Sequence, residues 1–208
     1  MTGKERDIKK NEIFIASKNK SKIADFKLYL GNNYKISTPE DVNVSLSIDE
    51  YLTSIEENAL AKARSWCAIT HKITIGDDTG FFIHELNGEP GVAIRRWAGE
   101  LSENSTQEDF WKYLQQKTKN LNDFSCHFEQ CVAIVSPNGQ EFIVRNINNG
   151  ILNKENLQKE YNGSDYPLGA VFESTDRNKN WDEMTDEEKI AFDKIFINNL
   201  NNAIESID

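Results

Sequence analysis

The sequence predicts a mixed α/β fold around a largely central sheet, on three observations. A short apolar run near the start leads into a helix, two apolar runs flank a Pro-Asn-Gly turn in the middle, and a helical apolar stripe closes the chain. At 208 residues there is enough length for one substantial core, so residues 1–208 are expected to form a single domain. No repeat, low-complexity tract or linker divides it.

Residues 1–11 form a charged leader that is expected to be flexible. EIFIAS (Glu12 to Ser17) is rich in β-branched and aromatic residues, the mark of a buried strand. The loop after it enters a helix in which Ile23, Phe26 and Leu30 repeat at helical spacing, and Gly31 supplies the stop. A second helix opens on a capping box of Thr53 and Glu56, with Ile55, Ala59, Ala63 and Trp66 along one face and Asn58 and Lys62 sharing another. From Ile73 to Ile83 the pattern predicts two short strands interrupted at Asp77 and Asp78, which places the carboxylates where backbone pairing breaks.

NGEPG (Asn87 to Gly91) is a turn, and Thr106 to about Lys119 reads as a helix with Phe110, Tyr113 and Leu114 inward. The apolar runs from His127 to Ile147 around Pro137 to Gly139 predict a hairpin. Residues 148–180 are polar and form the least regular region. Thr185 and Glu188 make another capping box, followed by Phe192, Ile195, Phe196, Leu200 and Ala203 on one helical face.

Thirty-four acids against 24 bases give a formal charge of -10, which repels nucleic acid and anionic membranes but leaves room for a small, metal-carrying polyanion such as a nucleotide. No apolar run approaches the roughly 20 residues needed to span a bilayer, and the start lacks the apolar core of a signal peptide, so the expected location is cytoplasmic. Cys67, Cys126 and Cys131 show no metal-site spacing and read as ordinary buried thiols. His71, His84 and His127 are scattered and form no triad.

The chemistry concentrates in three places. IGDDTG (Ile75 to Gly80) sets two aspartates side by side, SKNKSK (Ser17 to Lys22) carries three lysines and no acid, and Asp49, Glu50, Glu56 and Glu57 form a carboxylate cluster. Carboxylates for a divalent cation and lysines for phosphates are the parts of a metal-assisted phosphoryl site. Each has a plainer reading: a strand-ending turn, a solvated lysine loop, acids at a helix start. Glu56 is accounted for by the capping box. Two carboxylates about 4 Å apart repel by roughly 4 kcal/mol at an effective dielectric of about 20, so converging acids call for a cation, and magnesium suits them. An aspartate with a pKa near ~4 is a poor base for bulk water, whereas a metal-bound water is far more acidic.

IASKNKSK, ENALAKAR (Glu57 to Arg64), GDDTGFFIHELNGEPGVAIRRWAG (Gly76 to Gly99) and MTDEEK (Met184 to Lys189) together resemble the inosine triphosphate pyrophosphatase family of non-canonical purine nucleoside triphosphate hydrolases, with its Maf/Ham-like α/β fold. The resemblance implies an elongated platform of mixed central sheet and flanking helices, with two lobes and the active-site cleft between them. It also implies a homodimer, and magnesium-dependent hydrolysis of a nucleoside triphosphate to monophosphate and pyrophosphate. Carried onto this chain, it makes Asp78 the general base, Lys62 a catalytic cation, and Glu50, Asp77 and Asp78 the metal ligands. The implied substrate-binding residues are Ser17, Asn19, Lys22, Thr79, Tyr166, Lys189 and Lys194.

Departures fall where the family reads the base. DYPLGAVF (Asp165 to Phe172) keeps aromatics at Tyr166 and Phe172 but has Gly169 where the family has aspartate, and Asp193, Lys194 and Ile195 replace its Ser-His-Arg. Altered base selectivity follows, because polar partners reject a wrong base strongly. A second reading keeps the fold but makes the chain a catalytically weak nucleotide-binding sensor or regulatory module.

Overall fold

The computed structural model describes residues 12–44, 46, 54–102, 104–164, 166–177 and 181–207. The leader, Asp49, Glu50, Thr53 and Asp165 lie outside them. The strands are β1 (Glu12–Ile15), β2 (Lys35–Ser37), β3 (Ile73–Ile83), β4 (Pro90–Gly91), β5 (Ser125–Val135), β6 (Glu141–Leu152) and β7 (Phe172–Ser174). The α-helices are α1 (Lys20–Leu30), α2 (Ile55–Thr70), α3 (Gln107–Thr118), α4 (Lys154–Leu157), α5 (Asp186–Phe192) and α6 (Lys194–Glu205). One seven-stranded sheet runs in the order β2-β1-β3-β5-β6-β7, with β4 added to β3. β2, β1 and β3 are parallel, and from β3 to β7 all neighbours are antiparallel. This is the mixed α/β sheet flanked by helices that the sequence predicts. Among the described residues no helix is long and apolar enough to cross a membrane.

Strand alternation explains why the molecule has two cores on one sheet face. On the face carrying Ile75, Val132, Ile134 and Val144, α1 and α6 cover the sheet with Phe26, Leu30, Phe196 and Leu200. Further along the same face, Phe81, Ile83, Cys126 and Leu152 meet Trp97, Phe110, Trp111 and Leu114. Between these cores the inward positions turn polar: Asp77 and Thr79 on β3, Gln130 on β5, Asn146 and Asn148 on β6, with Thr79 opposite Gln130 and Gln130 opposite Asn146. This polar gap separates the two cores. On the opposite face α2 packs Ile55, Ala59 and Ala63 against Cys131, Ala133 and Val135.

Several sequence expectations need correction. β3 is one unbroken strand, paired with β5 from Thr74 to Ile83 straight through both aspartates. Pairing breaks on its other edge alone: β1 pairs β3 only up to Ile75, and β4 pairs it only from Phe81. The helix cap is Ser54, whose hydroxyl accepts from Glu57 N at 3.1 Å, because Ile55 is already helical and buried. Residues 148–152 belong to β6, Gly150 to Leu152 of them pairing with β7, and α4 adds order within the segment expected to be irregular. Trp111 joins Phe110 and Leu114 in the core from α3, while Tyr113 is only half-buried.

The C-terminal stripe is divided as well. The Thr185–Glu188 capping box opens α5, but the helix ends at Phe192 and α6 starts after Asp193. Buried Asp193 accepts from Tyr29 Oη at 2.6 Å and from Asn146 Nδ2 at 3.1 Å, which pins the junction. Ile195 therefore leaves the buried face and stands 78% exposed. His84 and His127 are also not scattered, since their Nε2 and Nδ1 lie 3.0 Å apart, His84 just past the end of β3 and His127 on β5.

Candidate active site

Gly76 sets the approach of α2 to the sheet. A Cβ there would meet Ala59 O at 2.1 Å and Ala63 N at 2.7 Å, so only glycine lets helix and strand come this close. Their contact brings Asn58 and Lys62, the neighbours of those alanines on α2, over the strand. Asn58 Nδ2 donates to Asp78 Oδ2 at 3.0 Å, and Lys62 Nζ donates to Asp78 Oδ1 at 2.8 Å. Lys62 also donates to the Asp77 carbonyl at 3.2 Å, which satisfies the strand edge left open between β1 and β4.

Consecutive strand residues face opposite sides, and Asp77 is held from the other side of β3. Lys22, in the second position after the start of α1, pairs with Asp77 Oδ2 and donates to Thr79 Oγ1 at 3.1 Å. Gln130 Nε2 donates to Asp77 Oδ1 at 2.9 Å. Each aspartate is thus gripped by one ammonium and one amide. Asp77 is 3% exposed, and a buried carboxylate without such partners would be strongly disfavoured.

A cavity of about 490 Å³ opens at the free strand edge, lined among others by Ser17, Asn19, Lys22, Lys62, Asp77 and Asp78. Asn19 is the N-cap of α1, its Oδ1 accepting from Ser21 N at 2.9 Å, while its own N–H donates to Ser17 Oγ at 3.1 Å. No acid occupies the first turn of α1, so that end of the cavity favours an anion. On the other side of Asp78 a second hollow of about 360 Å³ is bordered by Asn58, Thr79, Arg95, Arg96 and Ser102.

The structure therefore brings together Ser17, Asn19, Lys22, Lys62, Asp77, Asp78 and Thr79. It does not bring Tyr166, Lys189 or Lys194 to the walls of either cavity. Tyr166 is half exposed, its ring 6.3 Å from that of Phe128, two residues from Gln130 on the same face of β5. Lys189 Nζ lies 5.2 Å from the Trp181 ring centre and faces Asp25, whose carboxyl burial pushes up against the pull of that lysine. Lys194 is exposed at the start of α6. Asp193 is fully engaged by Tyr29 and Asn146. Gln130, Arg95 and Arg96 are site residues that sequence reasoning missed; for Gln130 the available signal was a polar side chain at an inward position of an apolar strand, whereas Arg95 and Arg96 sit on the 3-10 turn Ile94–Gly99.

The oxygens gathered at this strand edge are of the kind a hard divalent cation takes. Asp77 and Asp78 supply carboxylate oxygens, and buried Asn58 Oδ1 has no hydrogen-bond partner. Among the described residues no group of three or more His, Cys, Asp or Glu could hold a metal. Glu50, the expected third acid, lies outside them.

The sequence model of the Ham1 family matches residues 13–196. A dITP/XTP pyrophosphatase of Staphylococcus epidermidis is 31% identical over 178 residues, 86% of this chain and 87% of that one. The solved Staphylococcus aureus Ham1 protein superposes with a TM-score of 0.74 at 25% identity, covering 94% of this chain and 98% of that one. A HAM1 protein from Coxiella burnetii shares the fold at a TM-score of 0.75 and 23% identity, with 94% and 98% of the two chains covered. With the sheet, the Asp77–Asp78 strand edge and a match spanning most of its length, the chain belongs to the Ham1 family.

Proposed function

We propose that the chain hydrolyses nucleoside and deoxynucleoside triphosphates to the monophosphate and pyrophosphate in a magnesium-dependent reaction. It is then a nucleoside triphosphate pyrophosphatase, a hydrolase of acid anhydrides, working as one domain and as a cytoplasmic homodimer whose partner is a nucleotide rather than nucleic acid or membrane. The observation that carries the reading is the pair of aspartates at an open strand edge, each facing a lysine that can be handed to a phosphate, in one cavity with Ser17 and Asn19. Several relatives bear the name dITP/XTP pyrophosphatase, which makes purine and non-canonical triphosphates the first candidates.

Glu50, Asp77 and Asp78 would hold magnesium, which supplies charge neutralisation at the phosphate oxygens and an acidic water. Lys22, Ser17, Asn19 and Thr79 grip the polyphosphate. Asp78 takes a proton from the attacking water as its oxygen bonds to the α-phosphorus, and the bond from that phosphorus to the bridging oxygen breaks to release pyrophosphate. Lys62, 2.8 Å from Asp78, offsets the charge growing on the phosphate. Tyr166 offers a face for the base, with Lys189 and Lys194 as flanking cations. Gly169, Asp193 and Ile195 leave base selectivity altered, since Asp193 is bound internally and Ile195 points to solvent.

Incubation with a panel of canonical and modified triphosphates is expected to yield monophosphate plus pyrophosphate in magnesium. Orthophosphate and diphosphate as products would sink the assignment. Tight binding without turnover across the same panel would favour the regulatory reading.

A further inference from the structure

The geometry points to Asn58 and Gln130 as a matched pair of positioning residues, one amide assigned to each aspartate of the hydrolytic site. The inference rests on the proposed function and concerns how its carboxylates are aimed. Asn58 reaches Asp78 Oδ2 from α2, and Gln130 reaches Asp77 Oδ1 from β5, so the braces come from opposite sides of the sheet. The remaining oxygen of each carboxylate faces a lysine, Lys62 for Asp78 and Lys22 for Asp77.

The two kinds of partner differ in what they can do. A lysine carries a mobile positive charge on a flexible stem, and a polyphosphate competes for it. An amide N–H is neutral, donates to a carboxylate, and gains little from a phosphate by comparison. When substrate draws Lys22 and Lys62 away, the amides keep one oxygen of each aspartate fixed and leave the other oriented for water or cation. The lysines are exchangeable partners and the amides are permanent ones.

Asn58 carries a second mark of function. It is 2% exposed, and while its Nδ2 serves Asp78, its Oδ1 is buried with no hydrogen-bond partner. An unsatisfied buried acceptor destabilises a fold, so an apolar side chain of that size would suit α2 better. Its placement serves the aspartate and not the helix.

The test compares four variants with the unmodified protein. Asn58→Leu and Gln130→Met delete the donors at similar size, while Asn58→Asp and Gln130→Glu keep shape and polarity but turn a carboxylate toward a carboxylate. All four are expected to lose about 10- to 100-fold in kcat, the usual scale for partners that orient a functional group, with the nucleotide KM within about threefold. Recovery of kcat in the isosteric acids, or a rise in KM with kcat retained, would overturn the assignment and leave these side chains as space-filling. Failure of the unmodified protein to release monophosphate and pyrophosphate would instead overturn the functional reading itself.

Discussion

Asp78 differs from Asp77 in what stands beside it. It is the carboxylate shared by both hollows, held by Lys62 and Asn58 at 2.8 and 3.0 Å, and the neighbouring Asp77 is almost completely enclosed. Asp78→Asn keeps the shape and removes the ability to accept a proton. Turnover is expected to fall by about 100-fold or more, within the range for loss of a general base, while nucleotide binding measured by calorimetry persists. Undiminished activity would take Asp78 out of the mechanism. At this scale the lysines of SKNKSK divide by direction: Lys22 turns inward to Asp77 and Thr79, Lys18 is exposed but borders the cavity, and Lys20 is exposed away from its walls, a distinction that three identical residues in a row of polar neighbours cannot reveal.

Among the elements, α2 and β3 matter most, because their contact is what makes a site out of separate motifs. Gly76→Ala would drive a methyl into the backbone of α2 at Ala59 and Ala63. The expected cost is about 3 kcal/mol, at the upper end for overpacking, read as a lower urea midpoint. An unchanged midpoint would mean that the helix can shift without penalty. β3 and β5 also join His84 to His127, and His127 stacks on Phe82 with ring centres 4.9 Å apart. Burial, reinforced by His84 and opposed by Glu129, holds the His127 imidazole below its ordinary value. A folded value below the unfolded one means that the unfolded chain takes up the proton first. This contribution to stability is complete above the unfolded value, near ~6.5, and is lost as pH falls below it. Urea midpoints are expected to drop between pH 7.5 and 5.5 more steeply in the unmodified protein than in His127→Phe, and equal slopes would exclude the pair as the source.

Across the whole molecule, the sheet runs under two apolar cores with a polar gap between them, and the candidate site opens at the free edge of β3 beside it, Asp77 and Thr79 on the gap's face and Asp78 with Lys62 on the α2 face. Much of this was legible in the chain. Local periodicity located α1, α2, α3 and the β5–β6 hairpin, and the four motif segments anticipated a family membership that now stands on a match to residues 13–196. The exceptions to alternation, Gln130, Asn146 and Asn148, were visible as residues but not as a row, because strand register is not a local property. Sequence alone therefore determined which side chains are the main candidates for the chemistry and which elements carry them, since residue type and period are written locally. The tertiary structure decided what faces what: that β3 continues through its aspartates because β5 pairs its whole length, that α6 breaks away at Asp193 because Tyr29 and Asn146 bind it, and that each aspartate is braced by an amide from a different element. Those outcomes depend on contacts between residues distant in the chain, whose energies exceed the local preferences that a linear reading can weigh.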